Sequence, residues 1–409
     1  MSDASGATRE PIDPIAAVTH PDPYPYYARL VAERPLHRDD SLGLWIASSG
    51  AAVTAVLESP ACRVRPRAEP VPSDLVGSPA ATIFRRLVRM IDGPEHDTRK
   101  RAIAAALDGL DDARIVGESE RCVARLLGDG ETATHAEGLT ALAFAASTDV
   151  LASLLGFSRE ALPDVSRRVG EVVRCLFPGG TADEIELGKR AADPLRQAIA
   201  SLLQHPADED TLLARLSAEA RRVGCDDREG GVANAIGLLA QAYDATAGLV
   251  GSTLLAFARE RDLHARVTST PGLLRSVVDE VLRHDAPVQN TRRFVAEPVE
   301  IEGRELRPGD VVLVVLAAAN RDPAANPDPD RFDPARHERR LFGFGTGPHA
   351  CPGRRIATAI ASAVVARLLA GGVVPCRLDP HAGHRPSANC RIPRLLWRCE
   401  QVGESRVRP

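Results

Sequence analysis

One stretch of this chain combines residue types that could do chemistry: Phe344-Gly345-Thr346-Gly347-Pro348-His349-Ala350-Cys351-Pro352-Gly353. A loop punctuated by glycine and proline delivers one cysteine to the start of an apolar pattern. That pattern runs through Ile356, Ile360, Val364 and Leu368, four apart on one helical face. A thiolate at a helix N-terminus is stabilised by unpaired amides and the helix dipole, which lowers its pKa. Three roles compete for Cys351. It could be a small buried hydrophobe, as most intracellular cysteines are. It could be a nucleophile with His349 as base, although residues two apart on a tight loop rarely reach each other. It could also be a metal thiolate, the axial ligand of a haem iron. A phosphate cradle is excluded, because Pro348 and Ala350 occupy the closing positions of any G-x-G-x-x-G run begun at Gly343 or Gly345.

A second concentration lies in the longest helical pattern, about Val232 to Ala258, which is apolar on nearly every face and must be buried. Its polar residues, Gln241, Tyr243, Asp244 and Thr246, cluster at the middle, where buried polar groups need partners or form a site.

The cysteine stretch resembles the haem-binding signature of the cytochrome P450 superfamily, F-G-x-G-x-H-x-C-x-G, with Phe344, Gly345, Gly347, His349, Cys351 and Gly353 in register. The resemblance implies that Cys351 ligates iron, that His349 meets a haem propionate and that Phe344 packs beside the thiolate. Around His96 the chain resembles the family's H-x-x-x-R helix, with Lys100 where the propionate-binding arginine stands; a lysine offers a point charge without the bidentate fork. Arg293 matches a further propionate-binding arginine, with Arg292 as runner-up. Glu280, Arg283 and Arg331 match the family's structural Glu–Arg–Arg triad. Val288, Gln289, Asn290 and Thr291 match an extended segment lining the substrate pocket.

The long helix aligns with the family's A-G-x-(D/E)-T-(T/S) as Gln241-Ala242-Tyr243-Asp244-Ala245-Thr246. In the family this acid and alcohol relay protons to bound dioxygen. Here Asp244 is kept and the threonine is Ala245. Some macrolide-pathway members also carry alanine there and recruit a substrate hydroxyl and water. Thr246 lies about 100° further around the helix, so it should not replace the missing hydroxyl. Gln241, one turn before Ala245, should face the haem or the substrate, as should Ala242.

The elements that position these groups read as follows. Residues 1–20 form a flexible leader and residues 21–409 one haem domain, mainly α with small β-sheets, the cytochrome P450 fold. A helix follows Pro25, a strand covers Leu44 to Ala47, a helix Ala51 to Leu57 and a loop 60–79. Helices fill 110–230, with turns at Pro163, Pro178-Gly179-Gly180 and Pro206. Leu273 to Arg283 is a helix, and Val299 to Ile301 pairs with Val311 to Leu316 as a hairpin.

With 409 residues, 44% hydrophobic and 26% charged, the chain can bury a large core, which aliphatic residues must fill because aromatics are only 4%. A net charge of −4 makes no electrostatic case for nucleic acid or membrane. No run approaches membrane-spanning length, the N-terminus has no apolar signal region, and the scattered cysteines suit a reducing cytoplasm. The resemblance thus implies a cytoplasmic bacterial monooxygenase with haem b (iron protoporphyrin IX) that hydroxylates or epoxidises a small or medium-sized specialised metabolite. It uses O2 and electrons from NAD(P)H through ferredoxin and ferredoxin reductase, which could dock on Arg336, Arg339, Arg340, Arg354 and Arg355. The altered relay keeps oxidative coupling, cyclisation and nitrene-type transfer open. A non-catalytic recruitment module and a haem sensor are readings of another class.

Overall fold

The computed structural model describes residues 10–128, 136–177, 179–204, 208–260, 262–270 and 272–398. Its helices are α1 Tyr24–Glu33, α2 Gly50–Glu58, α3 Pro79–Arg86, α4 Pro94–Asp108, α5 Asp112–Gly128, α6 Ala136–Leu155, α7 Leu162–Leu176, α8 Ala182–Gln204, α9 Leu212–Arg222, α10 Arg228–Arg259, α11 Leu263–Ser269, α12 Leu273–His284, α13 Leu316–Asn320 and α14 Arg354–Ala370. The central element is α10, which packs against α3, α6, α7, α8, α12 and α14. Burial on all sides explains why its sequence is apolar all round. The apolar row of α14 also faces inward, with Ile356, Ile360, Val364 and Leu368 all buried. Pro163 does not make a turn: it lies in the first turn of α7, where a missing amide costs nothing. Pro178 and Pro206 lie outside the described residues.

Strands β1 Leu36–Asp39, β2 Leu44–Ala47, β3 Cys62–Arg63, β4 Thr291–Val295, β5 Val299–Ile301, β6 Arg304–Leu306 and β7 Val311–Val314 form two sheets. One has the order β1-β2-β7-β4-β3 and the other is β5-β6. The expected pairing of Val299–Ile301 with Val311–Leu316 is therefore wrong. Glu302 and Gly303 both take positive φ, 47° and 68°, closing a two-residue turn that pairs β5 with β6. This frees β7 to run parallel to β2 and antiparallel to β4.

The leader is not loose in its described part. Ala17 and Val18 are buried, and the Arg391 guanidinium donates to the carbonyls of Val18, His20 and Pro21 at 3.1, 2.6 and 2.9 Å. Arg391 also pairs with buried Asp285 at 2.9 Å, which accepts from the Tyr24 hydroxyl and from Arg259 at 3.1 Å. Burial alone would raise the Asp285 pKa, but Arg391 and Arg259 outweigh it and hold the carboxyl far below its usual range. This cluster staples the first described segment to the end of α12 and to the C-terminal strand segment.

One window, Gly138–Leu155 in α6, is long and apolar enough to cross a membrane, contrary to the sequence expectation. It is 78% buried inside the protein, as a core helix should be.

Candidate active site

Cys351 ends the glycine-rich loop, three residues before α14. Its amide donates to the Phe344 carbonyl at 2.8 Å, closing the loop on itself. Gly347, at φ 67°, has no room for a side chain: a Cβ there would stand 2.8 Å from Glu58 Cγ. The loop therefore lies flat against the end of α2. A Cβ on Gly353 would meet Cys351 Sγ at 3.7 Å. Cys351 is exposed, yet protein encloses it closely enough for burial to push its thiol pKa up. A group both open and enclosed faces an internal hollow. The lowering expected from the helix N-terminus is present, through a Gly353 amide bond, but burial outweighs it.

On one side of the loop, His349 Nε2 meets Asp92 Oδ1 at 3.0 Å, and its ring lies 4.0 Å from that of His96. Burial raises the Asp92 pKa, but the bonds from His349 and the Val64 amide outweigh it and leave it low. Buried His96, which contacts Asp97 at 3.0 Å, has its pKa lowered by burial. Lys100 donates to the Pro348 carbonyl, so the lysine of α4 grips the cysteine loop itself. Arg293 points inward from β4 while Arg292 is exposed. Its Nη1 reaches only the Arg292 carbonyl, at 2.9 Å, and its Nε is buried without a partner. Burial lowers the Arg293 pKa to about 10, with Asp92 acting against it. A buried guanidinium with no carboxylate bond among the described residues, within reach of the Asp92–His349 pair that flanks the cysteine loop, fits a flat, dianionic prosthetic group. Cys351 would hold its metal, and Arg293 with the histidine pair and Lys100 would hold its carboxylates.

The central helix α10 is less buried at its middle than on either side. Residues 228–240 and 246–258 are mostly buried, whereas Gln241 is exposed and Ala242, Tyr243, Asp244 and Ala245 are half-buried. Thr246 is buried away from this opening. Gln241 Nε2 donates to the Gly237 carbonyl at 2.8 Å, which leaves the side-chain oxygen of this exposed residue available as an acceptor. Tyr243 leans on Phe144, 4.7 Å between ring centres. Burial raises the Asp244 pKa, with Arg174 and Arg385 pulling it down in part.

Several expectations need correction. Gln289 is fully buried and structural, accepting from the Tyr27 hydroxyl at 3.0 Å and donating to the Ala286 carbonyl at 2.6 Å. Asn290 is spent on the Ala388 carbonyl at 3.0 Å. Val288 and Thr291 stay half-buried, and Val288 bridges Cys390, which lies in electrostatic reach of Asp244. The third member of the triad is not Arg331. Its side chain is 71% exposed beside Asp333, and only its backbone carbonyl takes part, accepting from Arg283 at 2.9 Å. Glu280 is instead met by Arg283 at 2.7 Å, Arg339 at 2.9 Å and Arg336 at 3.6 Å. The basic docking face shrinks accordingly: Arg336 and Arg339 turn inward, and Arg355 is spent on Asp112 and nearby carbonyls. Arg340 and Arg354 remain exposed, stacked over Phe342 and Phe344. The Asp92–His349 pair and the Arg174–Asp244–Arg385 grouping were missed, because such long-range pairs leave no periodic trace.

Comparison with known proteins agrees with this geometry. The family model described as Cytochrome P450 matches residues 256–371. The 20-oxo-5-O-mycaminosyltylactone 23-monooxygenase of Streptomyces fradiae is 30% identical over 361 residues, 87% of this chain and 84% of that protein. Cytochrome P450 monooxygenase PikC of Streptomyces venezuelae is 30% identical over 377 residues, covering 85% and 83%. The crystal structure of CalO2 superposes with a TM-score of 0.78 at 28% identity, covering 92% of this chain and 95% of that one. With an accessible cysteine at the end of its glycine-rich loop, a long central helix less buried at its middle, and relatives of this kind along most of its length, the chain belongs to the cytochrome P450 family, as a bacterial P450 monooxygenase.

Proposed function

We propose that residues 21–409 form one cytoplasmic haem domain that hydroxylates or epoxidises a specialised metabolite, drawing electrons from NAD(P)H through a ferredoxin and its reductase. The observation that carries this reading is the buried Arg293 guanidinium, which has no carboxylate bond among the described residues and lies within electrostatic reach of Asp92, the partner of His349 in the cysteine loop. Haem b, when bound, supplies oxygen activation and transfer to substrate. Cys351 would be its thiolate ligand, with Arg293, His349, His96 and Lys100 holding its propionates and Phe344 and Gly353 lining the thiolate. The exposed Arg340 and Arg354 support a docking face for an acidic electron carrier.

Within the site, Asp244 carries protons. Its raised pKa eases protonation, and Arg174 and Arg385 lie within its electrostatic reach. Ala245 offers no hydroxyl to pass the proton on, so the Gln241 oxygen, water and the substrate itself complete the path. Thr246, turned into the core, does not. Ala245 also favours a second reading, in which the product is formed by oxidative coupling, cyclisation or nitrene-type transfer.

The test begins with the spectrum of the reduced protein under carbon monoxide. A long-wavelength Soret band that disappears in Cys351→Ala is expected, and a band indifferent to Cys351 sinks the reading. Gln241→Ala should lower the share of reductant recovered as product, whereas Thr246→Ala should leave it unchanged. If both leave it unchanged, only substrate and water serve as the relay. Label from isotopic O2 in the product supports oxygen insertion, and unlabelled product favours the second reading.

A further inference from the structure

Arg89 has no role in the scheme above. It stands in a short 3-10 helix, Val88–Met90, between α3 and α4. This segment is clamped onto α10. Asn234 Oδ1 accepts the Val88 amide at 2.7 Å, Asn234 Nδ2 donates to the Arg86 carbonyl at 3.1 Å, and Arg86 pairs with Asp227 at 2.7 Å. A Cβ on Gly237 would stand 2.7 Å from Leu87 Cδ2, so only glycine lets the segment lie this close. Asn234 and Gln241 are seven residues apart, two turns on one helical face. The clamp therefore sets Arg89 beside the opened middle of α10.

The guanidinium lies 4.9 Å from the centre of the Phe177 ring, just past the end of α7. The titratable groups within its electrostatic reach include two thiols, Cys390 and Cys351, both held toward the neutral form by burial. Among the described residues no carboxylate pairs with it. Burial pushes its pKa down, yet an arginine stays charged in proteins. Its side chain is half-buried, so the guanidinium remains reachable and an incoming anion can serve as its counter-charge.

We propose that Arg89 anchors a carboxylate on the substrate of this enzyme. The planar fork suits a carboxylate, which it can grip with two parallel bonds. The propionate-binding role falls to Arg293 and the His96–His349 side. Arg89 lies within electrostatic reach of Arg293 but, unlike it, leans on Phe177 and reaches Cys390, which bridges Val288 and lies within electrostatic reach of Asp244 on α10. Its aromatic support leaves the polar edge of the guanidinium free for the ligand. A substrate held there by its acid end would present a carbon further along its length to the Cys351 side. The pocket then selects amphiphilic acids over neutral compounds of the same shape. This inference rests on the monooxygenase reading of the site.

The experiment titrates haem-loaded protein with dodecanoate and with 1-dodecanol, reading bound ligand by equilibrium dialysis and the haem absorption shift. Wild type, Arg89→Gln and Arg89→Lys are compared at equal haem content. Wild type should bind the acid at least as tightly as the alcohol. Arg89→Gln should weaken the acid by about tenfold or more, the scale of one lost charge-assisted contact, and leave the alcohol within about twofold. Arg89→Lys should keep part of the preference. Equal dodecanoate affinity in wild type and Arg89→Gln overturns the proposal. So does haem loss in Arg89→Gln that Arg89→Lys restores, which would make Arg89 a propionate partner. A wild type that prefers the alcohol overturns it without any variant. Failure of the monooxygenase reading shows separately, as wild-type protein whose Soret band does not depend on Cys351.

Discussion

Replacing Glu280 by Gln should unfold this protein more readily than any single change on the haem-side surface. Glu280 and Arg283 both have fully buried side chains, at 0% exposure. The carboxylate accepts from Arg283 Nε at 3.1 Å and Nη2 at 2.7 Å, from Arg339 Nε at 2.9 Å and from the Asp333 amide at 3.0 Å. Burial would raise its pKa, but these donors outweigh it, and the pKa falls below the usual carboxylate value. An amide in its place turns an NH2 group toward arginine donors and leaves buried cations uncompensated. Removing one partner of such a pair costs about 3–5 kcal/mol, a large share of the ~5–15 kcal/mol that stabilises a typical domain. Arg339→Ala removes one charge-assisted bond and should cost about 1.5–3 kcal/mol. Arg331→Ala should stay within about 0.5 kcal/mol, because its side chain lies in solvent. Urea unfolding of the three variants, followed by circular dichroism at equal haem content, gives the comparison through the midpoint and slope. The reasoning is refuted if Arg331→Ala costs as much as Arg339→Ala, or if Glu280→Gln costs less than about 1 kcal/mol.

Other predictions follow from the same structure. Gly237→Leu forces Leu87 and its segment off α10, so it should weaken dodecanoate binding as Arg89→Gln does while sparing the Cys351-dependent Soret band. Arg293→Leu should lower haem retention, read as the rate of haem transfer to apomyoglobin, and stabilise the haem-free protein by removing an unpaired buried charge. His384 is buried among Asp285, Arg391 and Arg259, and burial lowers its pKa to about 3. His284, near Arg321, Arg283 and Asp285, is lowered by burial to about 4. Both are neutral when folded and titrate near 6.5 when unfolded, so the unfolded chain binds the extra protons. Their contribution to stability is complete above about pH 6.5 and is lost as pH falls toward 4 and then 3. The urea midpoint should decline through that window, and His384→Phe should flatten the decline; an unchanged slope would count against it.

Legibility from sequence followed the range of the interaction. The cysteine loop was readable because its residues touch neighbours in the chain: Cys351 bonds Phe344 within one turn of backbone. The central helix was readable because burial on every side leaves a continuous apolar record, broken at Gln241 to Asp244 where the hollow opens. The choice between Arg292 and Arg293 came from strand alternation around a register that only β4 and β7 together define. The pairing of Val299–Ile301 failed because Glu302-Gly303 does not advertise a two-residue turn as Asn-Gly does. Arg331 was expected in the triad and Arg339 stands there instead, because local spacing carries no information about which of several nearby arginines turns inward.

By itself the sequence determined the family, the helical class and the thiolate candidate. Each is written in contiguous residues whose types are constrained by local geometry or by burial. Tertiary structure alone decided which charges face one another. Arg391 meets Asp285 and the first described segment from the far end of the chain, and Arg339 closes on Glu280. Arg89 is left half-buried beside α10 with no carboxylate partner among the described residues. Electrostatic pairing depends on distance in space and on the removal of water, and neither quantity is a function of separation along the chain.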